Sequence, residues 1–146
     1  KKRGNERLRA GTGSAVGEAL ECYTSGLEVH CGDLVLNAQL FGNRAHVHIL
    51  LRQFGEAVDD CRQAIQLDPK NVKSYWRAAT ASLRLDRCRD GIEFCDAGLL
   101  QEPRNTDLVR LRASCTDRLA TLGQPAGGGE WSFDGVGRNH QDPERR

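Results

Sequence analysis

No uninterrupted apolar run in the sequence approaches 18 residues, so no segment reads as a membrane-spanning helix. Excess charge of either sign is also lacking. Lys plus Arg is 21 against 20 Asp plus Glu, a formal net charge of +1. That balance removes the simplest argument for a nucleic-acid binder, which carries a clear basic excess. The opening Lys1-Lys2-Arg3-Gly4-Asn5 has no apolar segment behind its basic residues, so it is not a secretory signal. It starts inside a helical pattern, from which a piece of a longer protein is expected. No C-x-x-C pair occurs among Cys22, Cys31, Cys61, Cys88, Cys95 and Cys115, and the four histidines complete no zinc pattern. Cys61 and Cys95 fall in helical runs where a small buried residue serves. Reduced structural thiols are the expectation, and with them a cytosolic or nuclear compartment.

Proline is scarce, four in 146 residues, and the first two, Pro69 and Pro103, stand 34 apart. Laid on itself at that offset, Phe54-Gly55-Glu56-Ala57 meets Cys88-Arg89-Asp90-Gly91, and Cys61-Arg62-Gln63-Ala64-Ile65 meets Cys95-Asp96-Ala97-Gly98-Leu99. Asp68-Pro69 meets Glu102-Pro103, and Asn71 meets Asn105, each placed as an N-cap before a new helical pattern. One period earlier, Ala19, Tyr23, Gly26 and Leu27 fall at the places of Ala57, Cys61, Ala64 and Ile65 after small insertions. A 34-residue period with two helices per unit is the tetratricopeptide pattern.

Small residues recur where paired helices must approach closely: Ala45, Ala57 and Ala64, then Ala79, Gly91 and Gly98. Phe41, Phe54, Tyr75 and Tyr23 fill the gaps, as a stacked helix-pair core requires. The pattern predicts helices near 1–10, 15–30, 34–51, 54–67, 71–85 and 88–101. A seventh near 105–122 turns Leu108, Leu111, Cys115, Leu119 and Leu122 inward and Arg110, Arg112, Asp117 and Arg118 outward, as a capping helix does. The fold class is therefore all-α, a right-handed α-solenoid of three helix pairs plus a C-terminal cap. Its repeats cover about 1–33, 38–71 and 72–105, and the cap covers 105–122. Beyond it, Gly123, Pro125 and Gly127-Gly128-Gly129 cannot hold a helix, so 123–146 is expected to be a flexible tail or linker. Within that tail, Trp131 and Phe133 either stay free, dock on the solenoid or begin the next domain of a longer protein.

Little in the chain suggests catalysis. Gly11-Thr12-Gly13-Ser14-Ala15-Val16-Gly17 has the composition of a nucleotide loop but links two helices instead of following a strand, so it reads as a lengthened turn. His46 and His48, two apart on a helix and hence about 200° around it, cannot share a metal and read as packing residues. No nucleophile–base set is arranged by the sequence. No enzyme activity, cofactor or metal is expected. What resists a structural explanation is a set on the first helices of the repeats: Lys1 and Asn5, Asn43, then Lys73 and Arg77. Two cations at i, i+4 repel by a few tenths of a kcal/mol, so Lys73 and Arg77 sit together at a cost unless an anion joins them. Only four of the 21 basic residues are lysines, and two of those four fall in this set. First helices of stacked pairs line the concave groove, where charged and amide donors would suit a ligand with two carboxylates.

Lys1…Gly4-Asn5, Asn43-Arg44-Ala45 and Lys73-x-x-x-Arg77 resemble the dicarboxylate clamp of the tetratricopeptide co-chaperone family, over about residues 1–120. Cys22-Tyr23-Thr24-Ser25-Gly26-Leu27, Asp33-Leu34-Val35-Leu36-Asn37-Ala38 and Phe94-Cys95-Asp96-Ala97-Gly98-Leu99 are closer to one branch of that family, whose members carry a further C-terminal domain. The resemblance implies a cytoplasmic, monomeric adaptor for the C-terminal Glu-Glu-Val-Asp of heat-shock proteins 90 and/or 70. Lys1, Asn5, Asn43 and Lys73 would grip the terminal Asp, Arg77 would assist, and Leu8, His46 and Ile49 would meet peptide side chains. Two alternatives stay open: a scaffold for another peptide, and RNA binding by helix-pair repeats, against which the charge balance argues.

Overall fold

The computed structural model describes residues 1–10, 13–29 and 32–123. They form seven helices and, among the described residues, no strand: α1 (Lys2–Ala10), α2 (Gly13–Glu28), α3 (Leu34–Leu50), α4 (Phe54–Leu67), α5 (Val72–Arg84), α6 (Cys88–Gln101) and α7 (Thr106–Leu122). Each helix packs on its neighbour in the chain, and α5 also packs on α3 and on α7. That is the contact pattern of a solenoid: pairs α1/α2, α3/α4 and α5/α6, with the first helices of successive pairs side by side and α7 closing the end.

The period is visible in the turns. After α3 and again after α5, a non-glycine residue takes a left-handed conformation: Arg52 at φ 60° and, 34 residues on, Asp86 at φ 59°. Gln53 N donates to His48 O at 2.7 Å and Arg87 N to Ser82 O at 2.8 Å. With Arg52 N to Ile49 O and Asp86 N to Leu83 O, both at 3.0 Å, this is a Schellman closure written twice.

The small residues do what their spacing predicts. Ala45, Ala57, Ala64 and Ala79 are fully buried. A Cβ on Gly98 would stand 2.8 Å from Leu108 Cδ1 and 3.0 Å from Tyr75 Cβ, and one on Gly91 would stand 2.7 Å from Cys115 Sγ. At such separations no larger residue fits without moving a helix. The main core runs from Ala45 through Cys61, Tyr75, Ala78 and Cys95 to Leu108; a smaller one joins Ala19, Tyr23, Leu40 and Val47. Cys61, Cys88, Cys95 and Cys115 are buried free thiols and Cys22 is a half-buried one. Burial pushes the Cys61 thiol up to about 12, far from reactive range. Cys31 lies outside the described residues.

Three expectations need correction. Residues 13–17 are not a turn: they open α2, with Ala15 buried. Asn105 caps α7, its side chain accepting from Leu108 N at 3.0 Å, but Asn71 in the equivalent place makes no side-chain cap bond to α5. Leu122 is 39% exposed, not inward. The exposed ion pair of Arg118 with Asp86, at 2.8 Å, marks where α7 passes the α5–α6 turn, and Leu122 stands one helical turn further along α7. The tail with Trp131 and Phe133 lies outside the described residues.

Candidate functional site

Lys1, Asn5, Asn43, Lys73 and Arg77 converge. Together with Gln39, Asp68 and Asn71 they line one cavity of about 390 Å³ on the face shared by α1, α3 and α5. Three cations face one carboxylate there, so the cavity carries an uncompensated positive charge.

Each side chain is held differently. Gly4 is buried against Tyr23, whose ring would lie 2.5 Å from a Cβ at position 4. This close approach brings the Tyr23 hydroxyl to Asn5, where it donates to Oδ1. Asn43 Nδ2 donates to the same oxygen at 3.3 Å. Two donors on Oδ1 set the orientation of the Asn5 amide and leave its Nδ2 as a donor for a ligand. Lys1 Nζ donates to Gln39 Oε1, tying the start of α1 to α3. Lys73, exposed in the second position of α5, makes no hydrogen bond or ion pair among the described residues.

Arg77 is the half-buried cation of the set. Its Nη1 donates to Gly42 O at 2.8 Å, and a Cβ on Gly42 would stand 3.2 Å from that nitrogen, so glycine at 42 makes the approach possible. Burial pulls the Arg77 guanidinium below its ordinary value, an effect offset in part by the Cys61 thiol and the Tyr23 phenol. Its charge is felt around it: His46 is lowered first by burial and then by Arg77. A cation desolvated on a backbone carbonyl, without a carboxylate partner among the described residues, is stabilised by any anion that enters the cavity.

The other candidates are placed less centrally. His46 is half-buried on α3, one turn past Asn43. Ile49 is half-buried against the main core. The side chain of Leu8 lies outside the described residues. His48 faces away from the cavity, its Nδ1 2.7 Å from Gln53 Oε1 and its Nε2 3.5 Å from Asp60. Gln39, Asp68 and Asn71 were not among the site residues expected from the sequence, where Asn71 was read as an N-cap. The 34-residue offset holds the signal for one of them, since Gln39 is the counterpart of Lys73.

Tyr23 supports the cavity without lining it, which leads to a test. Tyr23→Phe removes one of the two bonds that orient Asn5 and leaves a ring of the same shape. A peptide with a free acidic C-terminus should bind about five- to tenfold more weakly, the worth of one hydrogen bond, while the melting temperature stays within about 3 °C. Calorimetric titration of both proteins checks this, and equal affinity would mean that Asn5 needs no such support.

A solenoid of helix pairs closed by a cap, with a cationic, amide-lined cavity across its first helices, defines a helical-repeat binding domain, and the chain belongs to the tetratricopeptide repeat family. The model of the tetratricopeptide repeat matches residues 38–71. The chain is similar to the tetratricopeptide repeat protein 4 homolog of Dictyostelium discoideum, 36% identical over 84% of this chain and 30% of that protein. It is equally similar, over 62% of the chain and 23% of the relative, to the Hsp70/Hsp90 co-chaperone CNS1 of Saccharomyces cerevisiae. It thus spans less than a third of the length of these curated relatives. Among solved structures, the second repeat domain of human RPAP3 in complex with the HSP70 peptide SGPTIEEVD superposes with a TM-score of 0.71 at 32% identity, covering 79% of this chain and 90% of that one. The first repeat domain of Spaghetti (RPAP3), bound to the HSP90 peptide SRMEEVD, gives 0.72 at 28%, covering 82% and 92%.

Proposed function

We propose that this chain is a non-catalytic adaptor module of a cytoplasmic co-chaperone, and that its cavity captures the acidic C-terminus of heat-shock protein 90 and/or 70. The observation that carries this is the convergence of Lys1, Asn5, Asn43, Lys73 and Arg77 on one cavity with three cations to one carboxylate. The peptides bound by the two similar domains end in Glu-Glu-Val-Asp and so bring two carboxylates on their last residue. In this reading Lys1 and Lys73 pair with those carboxylates from the two sides of the groove. Asn5 and Asn43 donate to them between the lysines. Arg77, anchored on Gly42 O, supplies fixed positive charge beneath. Each charge-assisted bond is worth about 1.5–3 kcal/mol net.

The free terminal carboxylate is what separates this reading from a general affinity for acidic peptides. Amidating a peptide that ends in Met-Glu-Glu-Val-Asp removes one charged acceptor and leaves its donors unpaired. The expected result is a loss of at least about a hundredfold in affinity, from two or three such bonds at 1.4 kcal/mol per tenfold. Equal binding of acid and amide would sink the clamp.

A further inference from the structure

Cys95 of α6 and Cys115 of α7 are both fully buried where the last two helices pack together, within hydrogen-bonding reach of each other. Gly91, one turn before Cys95, sets the geometry. A Cβ there would stand 2.7 Å from Cys115 Sγ and 3.7 Å from Cys115 Cβ, so the missing side chain seats the second thiol beside the first. The repeat register shows that this is not the general solution for a helix crossing. Thirty-four residues earlier, the counterparts of Gly91, Cys95 and Cys115 are Ala57, Cys61 and Ala81, all buried in the main core. The preceding crossing therefore has one thiol among methyl groups, and the last has a thiol against a thiol.

The helix that carries Cys115 is also weakly held. α7 buries Leu108 and Cys115, against five or six residues in each of α3, α4, α5 and α6. Its ion pairs, Arg112 with Asp96 and Arg118 with Asp86, are exposed and add little. A terminal element with so few buried contacts opens at a lower free energy than the whole array. Opening α7 bares Cys95 and Cys115 together, whereas Cys61 on α4 stays sealed in the main core. With α7 seated, the Cys95 S–H donates to the Cys115 sulfur. That bond holds the Cys115 thiol below its ordinary value although burial raises it, and it pushes Cys95 up together with burial. Cys115 is thus the first of the two to ionise.

We infer that Cys95 and Cys115 are a redox-sensitive pair, which a small-molecule disulfide such as oxidised glutathione converts to a bridge that fixes the cap helix α7 to α6. The Cys115 thiolate attacks one sulfur of the oxidant, whose S–S bond breaks and releases one glutathione thiolate. The Cys95 thiolate then attacks the Cys115 sulfur of the mixed disulfide, and the second glutathione thiolate leaves. The two thiol protons end on the two leaving thiolates, so two protein thiols are oxidised as one disulfide is reduced. In a compartment that keeps thiols reduced, such a bridge is transient and forms as the glutathione pool becomes oxidised. It spans 20 residues and ties down a weakly held helix, so the bridged array should melt roughly 5–10 °C above the reduced one.

The test holds the full chain in glutathione buffers of rising oxidised fraction, blocks the remaining thiols with N-ethylmaleimide in denaturant, and maps the tryptic peptides by mass. Cleavage after Arg87, Arg89, Arg104, Arg112 and Arg118 puts Cys88, Cys95 and Cys115 in three different peptides. The expected product joins 90–104 to 113–118, and dithiothreitol reverses it. Melting is followed in the same buffers. Cys115→Ala installs the alanine of the preceding crossing, and its melting temperature should not respond to the oxidant; Cys95→Ala should behave alike. A bridge from Cys88 to Cys115 instead, or no bridge at any oxidised fraction, overturns the pairing. A melting temperature that stays unchanged as the bridge forms, or that rises equally in both variants, overturns the lock on α7.

Discussion

Lys73→Glu is expected to weaken binding of a Met-Glu-Glu-Val-Asp peptide by at least about a hundredfold, since losing one partner of a desolvated charge pair removes 2–5 kcal/mol and reversal adds repulsion. Stability should hardly change. Lys73 is exposed and makes no ion pair among the described residues. A glutamate there gains twice: it faces Arg77 at i+4, and it sits in the first turn of α5, where negative charge suits the helix dipole. Peptide titration beside a thermal melt checks both halves. If the substitution lowers the melting temperature by as much as a core mutation would, the lysine is structural and the cavity has been assigned to the wrong task.

The second large effect falls on the fold. Asp60 of α4 is 5% exposed and accepts two bonds from Arg44 of α3, Nε to Oδ2 and Nη2 to Oδ1, both at 2.7 Å. Arg44 also reaches Thr24 of α2 at 3.5 Å and lies over the Phe41 ring. The pair therefore joins three helices, next to Asn43 in sequence but on another face of α3. Asp60→Ala strands the guanidinium. The arginine side chain is 22% exposed and partly hydrated, which places the expected loss at about 3 kcal/mol, the low end for a broken buried pair. For an array of this size that is a fall of roughly 10 °C in melting temperature. Replacing both partners, as Arg44→Leu with Asp60→Leu, should recover most of it, because two apolar groups leave no charge unpaired. Below the melt, peptide affinity should stay within about threefold of wild type, since none of the clamp donors is removed. A shift of less than about 2 °C in Asp60→Ala would show that water satisfies Arg44 just as well.

The sequence by itself determined the architecture. A 34-residue period, glycine or alanine at each close helix crossing, and the seven apolar stripes are local patterns, and local patterns decide which face of a helix is buried. The same periodicity put Lys1, Asn5, Asn43, Lys73 and Arg77 on the first helices, and the cost of two adjacent cations marked Lys73 and Arg77 for an anion. What periodicity does not encode is how far one helix is rotated and shifted against the next. Stacking decided that the Tyr23 hydroxyl reaches Asn5, that Gln39 holds Lys1 across 38 residues, and that Arg77 rests on the carbonyl of Gly42. It also decided that Asn71 lines the cavity while its counterpart Asn105 caps its own helix. A hydrogen bond is made or lost within a few tenths of an ångström, whereas burial of an apolar face tolerates much larger shifts. Apolar periodicity therefore sufficed for the solenoid, and the donor geometry of the cavity required the packed molecule.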